Sequence, residues 1–215
     1  MREKWQGDYD SHCIYIDDPT LHEGNLRVGW GFGEDKHYYL ESISIIIKKI
    51  ISILSIKTNN TVYFGSSAGG FMSLMLATMH RDTTAVVNNP QFTVKEARYI
   101  DFVKSKYPDY SSDEIKKRFE IRFSFYKLTE VQEYFPKIYY IINRYSKADK
   151  NLQYIPFQKF VDTHKEFSSK IQFIEYHSPN GHSGLYTREQ TSRLLNSILN
   201  EWQPDKYTSD SVSNK

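Results

Sequence analysis

The sequence predicts an α/β fold, in which a mostly parallel sheet is covered by helices on both faces. Short runs of β-branched and aromatic residues alternate with longer amphipathic stretches along most of the 215 residues. That alternation is typical of parallel sheets with helical connections. A chain of this length can also bury an ordinary hydrophobic core. In such sheets functional residues gather in loops at the carboxyl ends of the strands, so chemistry is expected there.

In chain order, the predicted strands are Cys13–Asp17, Thr61–Phe64, Ala85–Val87, Ile138–Ile142 and Ile171–Tyr176. The predicted helices are Tyr38–Ile56, Phe71–His80, Tyr154–Phe167 and Glu189–Trp202, with further charged, aromatic helices within 93–135 after the third strand. A glycine-rich loop with aromatic residues, Gly29–Gly33, follows the first strand. We expect one domain over 1–203 and a disordered tail over 204–215, where only small and polar residues remain.

Charge and cysteine content exclude several classes of protein. Lys and Arg number 28 and Asp and Glu 26, a net charge of +2. This balance argues against a nucleic-acid-binding protein, which usually carries a strongly basic face. The single cysteine, Cys13, excludes an internal disulfide framework and a zinc cluster built from thiolates. We expect no metal, and low cysteine usage fits a reducing compartment.

Neither the N-terminus nor the most apolar segment has the character of a membrane or export signal. Residues 1–10 are polar and lack the apolar stretch of a secretory signal. The segment Tyr38–Ile56 is interrupted by Glu41, Lys48 and Lys49, which argues against a membrane span. Its isoleucines follow helical spacing instead, which predicts a helix packed against the sheet. We therefore expect a cytoplasmic protein without a membrane span.

The turn Gly65–Gly70 carries the main functional signal. It fits the G-x-S-x-G pattern of a nucleophile elbow, with Ser67 as the nucleophile, between a β-rich run and an apolar helix. Small neighbours are needed because a strand that turns sharply into a helix strains the serine backbone. The amide of Ala68 would then be one oxyanion donor at the helix N-terminus. The alternative is an ordinary glycine-rich turn; a phosphate loop is disfavoured because no Gly-Lys-Ser/Thr follows.

A serine nucleophile needs a base, and in this architecture the order is Ser, then Asp or Glu, then His. His182 lies in the glycine-containing loop after the last strand and is the preferred base, with His177 as the reserve candidate. Asp149 is the first acid after the strand Ile138–Ile142 and is the preferred orienting acid. Asp162 is its rival, and Asp149 could instead be a helix N-cap.

Together these residues resemble the α/β-hydrolase superfamily, and within it the bacterial branch of capsule and surface-polysaccharide biosynthesis, which includes capsule O-acetyltransferases. The resemblance rests on Tyr63–Gly70, Val87–Gln91 and Gly181-His182, and extends loosely from Ile14 to about Trp202. The Asn-Pro-Gln after the third strand is its most distinctive part. The resemblance implies an α/β-hydrolase-like sheet with Ser67 as nucleophile, Asp149 as acid and His182 as base.

Two departures from the family pattern lead to further expectations. The loop between Asn143 and Asp149 is longer than the family's. The strand Ile14–Asp17 corresponds to what is usually the fourth strand, so the sheet is expected to lack its N-terminal strands and the loop that supplies the second oxyanion amide. Such a sheet would expose an unpaired edge at Ile14, which predicts poor solubility or a homo-oligomer formed through that edge.

Two functions of different classes follow. The first is a serine esterase or O-acyltransferase acting on a carbohydrate-linked ester, with Trp30 and Phe32 as stacking surfaces for a saccharide and the helices of 93–135 as a lid-like insert. The insert could equally well only pack on the sheet. The first function needs no cofactor, although a transferase would use an acyl donor such as acetyl-CoA. The second is a non-catalytic, truncated or scaffold protein of a polysaccharide or export assembly.

Overall fold

A computed structural model describes residues 2–22 and 27–200 and divides the chain into two compact units. The larger unit is Asp18–Leu185 and contains the sheet. The smaller unit comprises the described residues of Met1–Asp17 and Tyr186–Lys215. The expectation of one domain over 1–203 stays a prediction, and the predicted tail over 204–215 lies outside the described residues.

The larger unit is built on a four-stranded sheet of order β1-β2-β3-β4 in which every neighbouring pair is parallel. The strands are β1 (Val62–Ser66), β2 (Thr84–Asn88), β3 (Lys137–Asn143) and β4 (Ile171–Tyr176). All of β2 and all of β3 except Lys137 are buried. The register pairs Ser66 with Asn88 and Asn143 with Tyr176. These four polar residues therefore end the strands at one edge of the sheet.

The described helices are α1 (Tyr39–Ile53), α2 (Ala68–Met79), α3 (Glu96–Lys106), α4 (Ser112–Phe119), α5 (Phe125–Gln132), α6 (Lys147–Asp149), α7 (Ile155–Thr163) and α8 (Arg188–Asn200). α2 packs against β1 and β2 and also contacts α1 and α5. The sheet with its helices confirms the predicted α/β class. Within residues 2–22 and 27–200, no helix combines the length and apolar character that crossing a membrane requires.

Three helices, α3 to α5, lie between β2 and β3, where the sequence predicts a helical insert over 93–135. α4 begins after Ser111, whose hydroxyl accepts a hydrogen bond from the Glu114 amide while the Glu114 carboxylate accepts one from the Ser111 amide. Reciprocal bonds of this kind satisfy amides that a helix start leaves without partners. Local hydrogen bonds at the start of α4 thus stabilise the insert in addition to packing.

The predicted first strand, Cys13–Asp17, is wrong. Residues 12–18 have no regular secondary structure, and Ile14, Tyr15 and Ile16 are exposed. β-branched and aromatic residues favour a strand only where the sheet offers a pleated, half-buried surface, which this segment does not occupy. β1 and β4 are the outermost strands of the described sheet. Ile14 is therefore not on an edge strand, and the homo-oligomer can no longer be argued from it. Association through a sheet edge stays a prediction.

The smaller unit is organised around Asp8, at the end of a 3₁₀ helix over Arg2–Asp8. The Asp8 carboxylate accepts hydrogen bonds from Arg188 Nε and Nη2, each at 2.6 Å, and from Ser192 Oγ at 3.0 Å. The hydrogen bond from Arg188 is the main cause of a lowered pKa at Asp8. These contacts fasten the N-terminal turn to α8.

Candidate active site

Ser67 occupies the turn between β1 and α2 with a strained backbone. Its φ of 53° and ψ of −121° place this non-glycine residue outside the regions that L-amino acids favour. Both backbone polar groups are held: the Ser67 amide donates to Asn88 O at 3.1 Å, and Ser67 O accepts from the amide of Gln91 at 3.3 Å. The loop after β2 therefore fixes the turn in the conformation expected of a nucleophile elbow.

Gly65 makes the sharp turn sterically feasible. A β-carbon at Gly65 would lie 2.2 Å from Gly69 O and 2.4 Å from Gly69 C, both backbone atoms of the first turn of α2. A β-carbon at Gly70 would lie 2.9 Å from Pro90 Cβ, so Gly70 allows the loop after β2 to approach. A β-carbon at Gly69, by contrast, would have no atom within 4 Å apart from its chain neighbours and its own helix backbone. Two of the three glycines are thus required by close packing.

Gly65→Ala is expected to destabilise the protein and Gly69→Ala to leave it stable. The first substitution forces strand and helix apart, an overpacking cost of about 1–3 kcal/mol. The second replaces a helical glycine where space is free, which typically stabilises by about 0.4–1 kcal/mol. Urea unfolding of both variants and the wild type measures the difference. Equal unfolding free energies for the two variants would contradict this account of the turn.

The structure brings Ser67, His182 and Asp149 into one hydrogen-bonded chain. His182 Nε2 lies 2.9 Å from Ser67 Oγ, and His182 Nδ1 lies 2.7 Å from Asp149 Oδ1. A carboxylate can only accept, so Nδ1 carries the hydrogen in the neutral ring and the lone pair of Nε2 faces the serine hydroxyl. The three residues come from the loops after β1, β3 and β4. They lie together because parallel strands end at the same edge of the sheet.

The hydrogen bond between His182 and Asp149 favours the protonated form of the His182 imidazole. The hydrogen bond to Asp149 raises the pKa of the His182 imidazole, with a smaller contribution from the negative charge of that carboxylate, and partial burial opposes the shift. The His182 side chain is 44% exposed while that of Asp149 is 8% exposed. A buried carboxylate behind a partly exposed ring is suited to stabilising the positive charge that forms when the ring takes a proton.

Asp149 is placed by a single helical turn. Ser146 is the N-cap of α6, and its Oγ accepts from the Asp149 amide at 3.4 Å. Asp149 directly precedes the helical turn Lys150–Tyr154, but its side chain makes no capping hydrogen bond there, so the alternative of a capping Asp149 is wrong. Asp149 Oδ2 and the buried hydroxyl of Tyr140 have no hydrogen-bond partner in the described chain. Burial first, and the Asp149 charge second, raise the pKa of Tyr140, so that hydroxyl keeps its proton.

Ala68 is the first residue of α2, which starts directly after Ser67. The first amides of a helix have no acceptor within the helix, and they lie at the positive end of its dipole. The Ala68 N–H therefore meets the requirement for the first oxyanion donor. Its part in the chemistry stays a prediction.

Trp30 and Phe32 do not offer stacking surfaces, and that expectation is wrong. Their exposed fractions are 2% and 0%, and both rings pack with Phe102 and Phe123 at centroid distances of 5.3–5.9 Å. The Trp30 indole nitrogen donates to Gln91 Oε1 at 2.7 Å. The loop Gly29–Gly33 thus contacts both the helices of the insert and the loop after β2, which holds Ser67.

The rival candidates lie away from this chain. His177 is exposed, and its ring contacts Tyr145 at a centroid distance of 4.9 Å. Asp162 is exposed within α7. Among the residues that the structure describes, no group of three or more His, Cys, Asp or Glu side chains could hold a metal ion.

Sequence reasoning missed the polar side chains that end β2, β3 and β4. Asn88, Asn89 and Asn143 are buried, and Tyr176 is half-buried. Asparagine is uncommon in buried strands. Its presence at two predicted strand ends was the available signal. Asn143 and Tyr176 bind the backbone on either side of His182, and Asn88 and Asn89 bind the Tyr176 hydroxyl.

Several solved enzymes are similar to this chain. The capsule O-acetyltransferase of Neisseria meningitidis serogroup A has a TM-score of 0.48 and 16% identity over 81% of this chain and 68% of that chain. An S-formylglutathione hydrolase from Agrobacterium tumefaciens has a TM-score of 0.46 and 15% identity, covering 78% and 56%. Carboxyl esterase 2 from Tuber melanosporum has a TM-score of 0.44 and 15% identity, covering 74% and 59%.

No family model and no curated protein matches the sequence. The similar structures are α/β-hydrolase-type enzymes, and the likeness is one of fold. The architecture of this chain itself is a parallel sheet with helices, an α/β fold.

Proposed function

We propose that this protein is a serine-nucleophile esterase or O-acyltransferase. The observation that carries the proposal is the hydrogen-bonded chain itself: 2.9 Å from Ser67 Oγ to His182 Nε2 and 2.7 Å from His182 Nδ1 to Asp149 Oδ1. Serine at a strained strand-to-helix turn, with its hydroxyl on an imidazole that a buried carboxylate orients, has the geometry of an activated nucleophile.

The reaction would proceed in two halves. In the first, Ser67 Oγ attacks the acyl carbonyl while His182 Nε2 takes the hydroxyl proton, and the Ala68 amide stabilises the oxyanion. The C–O bond of an ester, or the C–S bond of a thioester donor such as acetyl-CoA, then breaks, and the proton passes from His182 to the leaving alcohol or thiol. In the second half, water or an acceptor hydroxyl attacks the acyl-enzyme and gives its proton to His182. When the new bond has formed, the bond between Ser67 Oγ and the acyl carbon breaks, and His182 returns its proton to Ser67 Oγ.

The proposed substrate is a carbohydrate-linked ester of surface-polysaccharide metabolism. This part rests on the motif resemblance at Tyr63–Gly70 and Val87–Gln91. A transferase would take its acyl group from a donor such as acetyl-CoA, while an esterase needs only water. Hydrolysis and transfer use the same three side chains. They differ in whether a bound hydroxyl, which can reach an effective molarity of about 10⁵–10⁸ M, competes with water.

The test is covalent labelling of Ser67 with a fluorophosphonate probe over a range of pH. We expect labelling at Ser67, and a rate that rises with pH because only the neutral imidazole accepts the proton. The raised pKa of His182 places the midpoint of this rise above the ordinary histidine value of about 6.5. Mass spectrometry of the labelled peptide identifies the residue, and the rate against pH gives the midpoint.

Stability is expected to change in the opposite direction over the same range. The favourable pairing of charged His182 with Asp149 is fully present below the unfolded-state pKa, and it is lost as pH rises through the raised folded-state pKa. Thermal unfolding measured alongside labelling checks the sign.

A natively folded protein that the probe does not label would instead favour the non-catalytic scaffold.

A further inference from the structure

We propose that Asn143 is a positioning residue that holds the His182 loop against both Ser67 and Asp149. The inference rests on the proposed function, because it assigns a role in the same reaction. Asn143 ends β3 and its side chain is fully buried, although an asparagine amide is costly to bury unless every polar atom is bonded. All of its side-chain hydrogen-bonding capacity is used on two loops.

The Asn143 carboxamide binds the part of the loop that precedes His182. Its Nδ2 donates to Ser178 O and to Gly181 O, each at 2.8 Å. Its Oδ1 accepts from the Ser178 amide at 2.9 Å. Gly181 is the residue directly before His182, so one of these bonds fixes the peptide from which the imidazole extends.

Asn143 also contacts the loop that carries Asp149, through its side chain and its backbone carbonyl. Asn143 Oδ1 accepts from the Tyr145 amide at 3.1 Å, and Asn143 O accepts from the Ser146 amide at 3.1 Å. Ser146 is the N-cap of the helical turn that ends at Asp149. Asn143 therefore contacts both loops: its side chain binds the loop of His182 and the Tyr145 amide, and its backbone carbonyl binds the Ser146 amide of the loop that leads to Asp149.

A second side chain holds the far end of the histidine loop. The Tyr176 hydroxyl donates to Gly184 O at 2.6 Å, and it accepts from Asn88 Nδ2 at 3.0 Å and Asn89 Nδ2 at 3.1 Å. Asn89 Oδ1 in turn accepts from the backbone N–H of Asn143 at 2.8 Å. His182 is thus bracketed by Asn143 before it and by Tyr176 after it.

The contacts of Asn143 and Tyr176 matter because His182 lies on an exposed loop of glycine and polar residues. A displacement of about 1 Å in a reacting group can reduce a rate by a factor of 10². Asn143→Asp keeps the size of the side chain but replaces both donors with an oxygen that faces two carbonyl oxygens. Asn143→Ala removes all four side-chain hydrogen bonds and keeps the backbone bonds of residue 143 to Ser146 and Asn89.

The experiment compares Asn143→Asp, Asn143→Ala and Tyr176→Phe with the wild type in the full chain. The matched control is Ile138→Val, a buried substitution at the other end of β3 that touches neither loop. Fluorophosphonate labelling of Ser67 is measured below the melting temperature of every variant. We expect labelling to slow by a factor of about 10² in the Asn143 variants and about 10 in Tyr176→Phe, with the control close to the wild type.

A spectroscopic readout separates positioning from general destabilisation. The hydrogen between His182 Nδ1 and Asp149 Oδ1 should give a proton resonance far downfield, which is assigned by its loss in Asp149→Asn. We expect it to disappear or broaden in Asn143→Ala and to persist in Ile138→Val. A folded Asn143→Asp that is labelled within about threefold of the wild-type rate would overturn the inference.

The remaining outcomes also decide. If the Asn143 variants do not fold, Tyr176→Phe is decisive: an unchanged labelling rate and resonance overturn the bracket, and a loss of both supports it. If the probe fails to label the wild type, the proposed function is contradicted and the resonance alone tests the inference. Its retention in Asn143→Ala would then show that the amide does not position His182.

Discussion

Ser67→Ala is expected to abolish ester turnover and to leave the fold intact. Removing the nucleophile of a serine triad lowers kcat by a factor on the order of 10⁶. The Ser67 hydroxyl contacts His182 Nε2 at 2.9 Å, while the strained backbone of the turn is held by the Asn88 carbonyl and the Gln91 amide. Alanine keeps the β-carbon and both backbone bonds. The unfolding free energy should therefore change by less than about 0.5 kcal/mol.

The matched control is Ser66→Ala, one residue earlier at the end of β1. It has the same change in composition within the same turn, and we expect most of the activity to remain. Hydrolysis of a nitrophenyl acetate and circular dichroism of all three proteins provide the measurement. Substantial activity in Ser67→Ala would show that Ser67 is not the nucleophile.

Asp149→Asn has the second largest expected effect. An asparagine amide can place its Nδ2 donor toward His182 Nδ1, which favours the ring tautomer whose hydrogen is on Nε2 and which cannot accept the serine proton. In a serine triad this change lowers kcat by about 10⁴. The 2.7 Å contact and the burial of Asp149 leave the substituted side chain little freedom to turn away.

Asp162→Asn is the control for that substitution. It makes the same chemical change at an exposed residue of α7, which sequence reasoning weighed as the rival acid. We expect wild-type turnover in this variant. Steady-state rates on one ester, with melting temperatures for both variants, distinguish the two acids. A larger loss at Asp162 than at Asp149 would mean that the orienting acid has been misassigned.

Local sequence determined the elements on which the site depends. The run Ile171–Tyr176 forms β4 with the predicted limits, and Gly65 and Gly70 stand where strand, helix and loop approach too closely for a β-carbon. These features are local because turn geometry and strand periodicity depend on a few neighbouring residues. The order Ser67, Asp149, His182 then followed from the expected architecture.

Only the tertiary structure decided how residues far apart in sequence are used. Ile14, Tyr15 and Ile16 have strand propensity but no place in the sheet, while Trp30 and Phe32 are in the core, where the sequence suggested a sugar surface. The position of Asn143 after a predicted strand is visible in the sequence, but its contacts with residues 35 and 38 positions further along the chain are not. Burial and hydrogen-bond satisfaction depend on which segments meet. A pattern within a few residues contains no information about the partner. The sequence therefore named the three side chains of the hydrogen-bonded chain, and the fold determined what holds them.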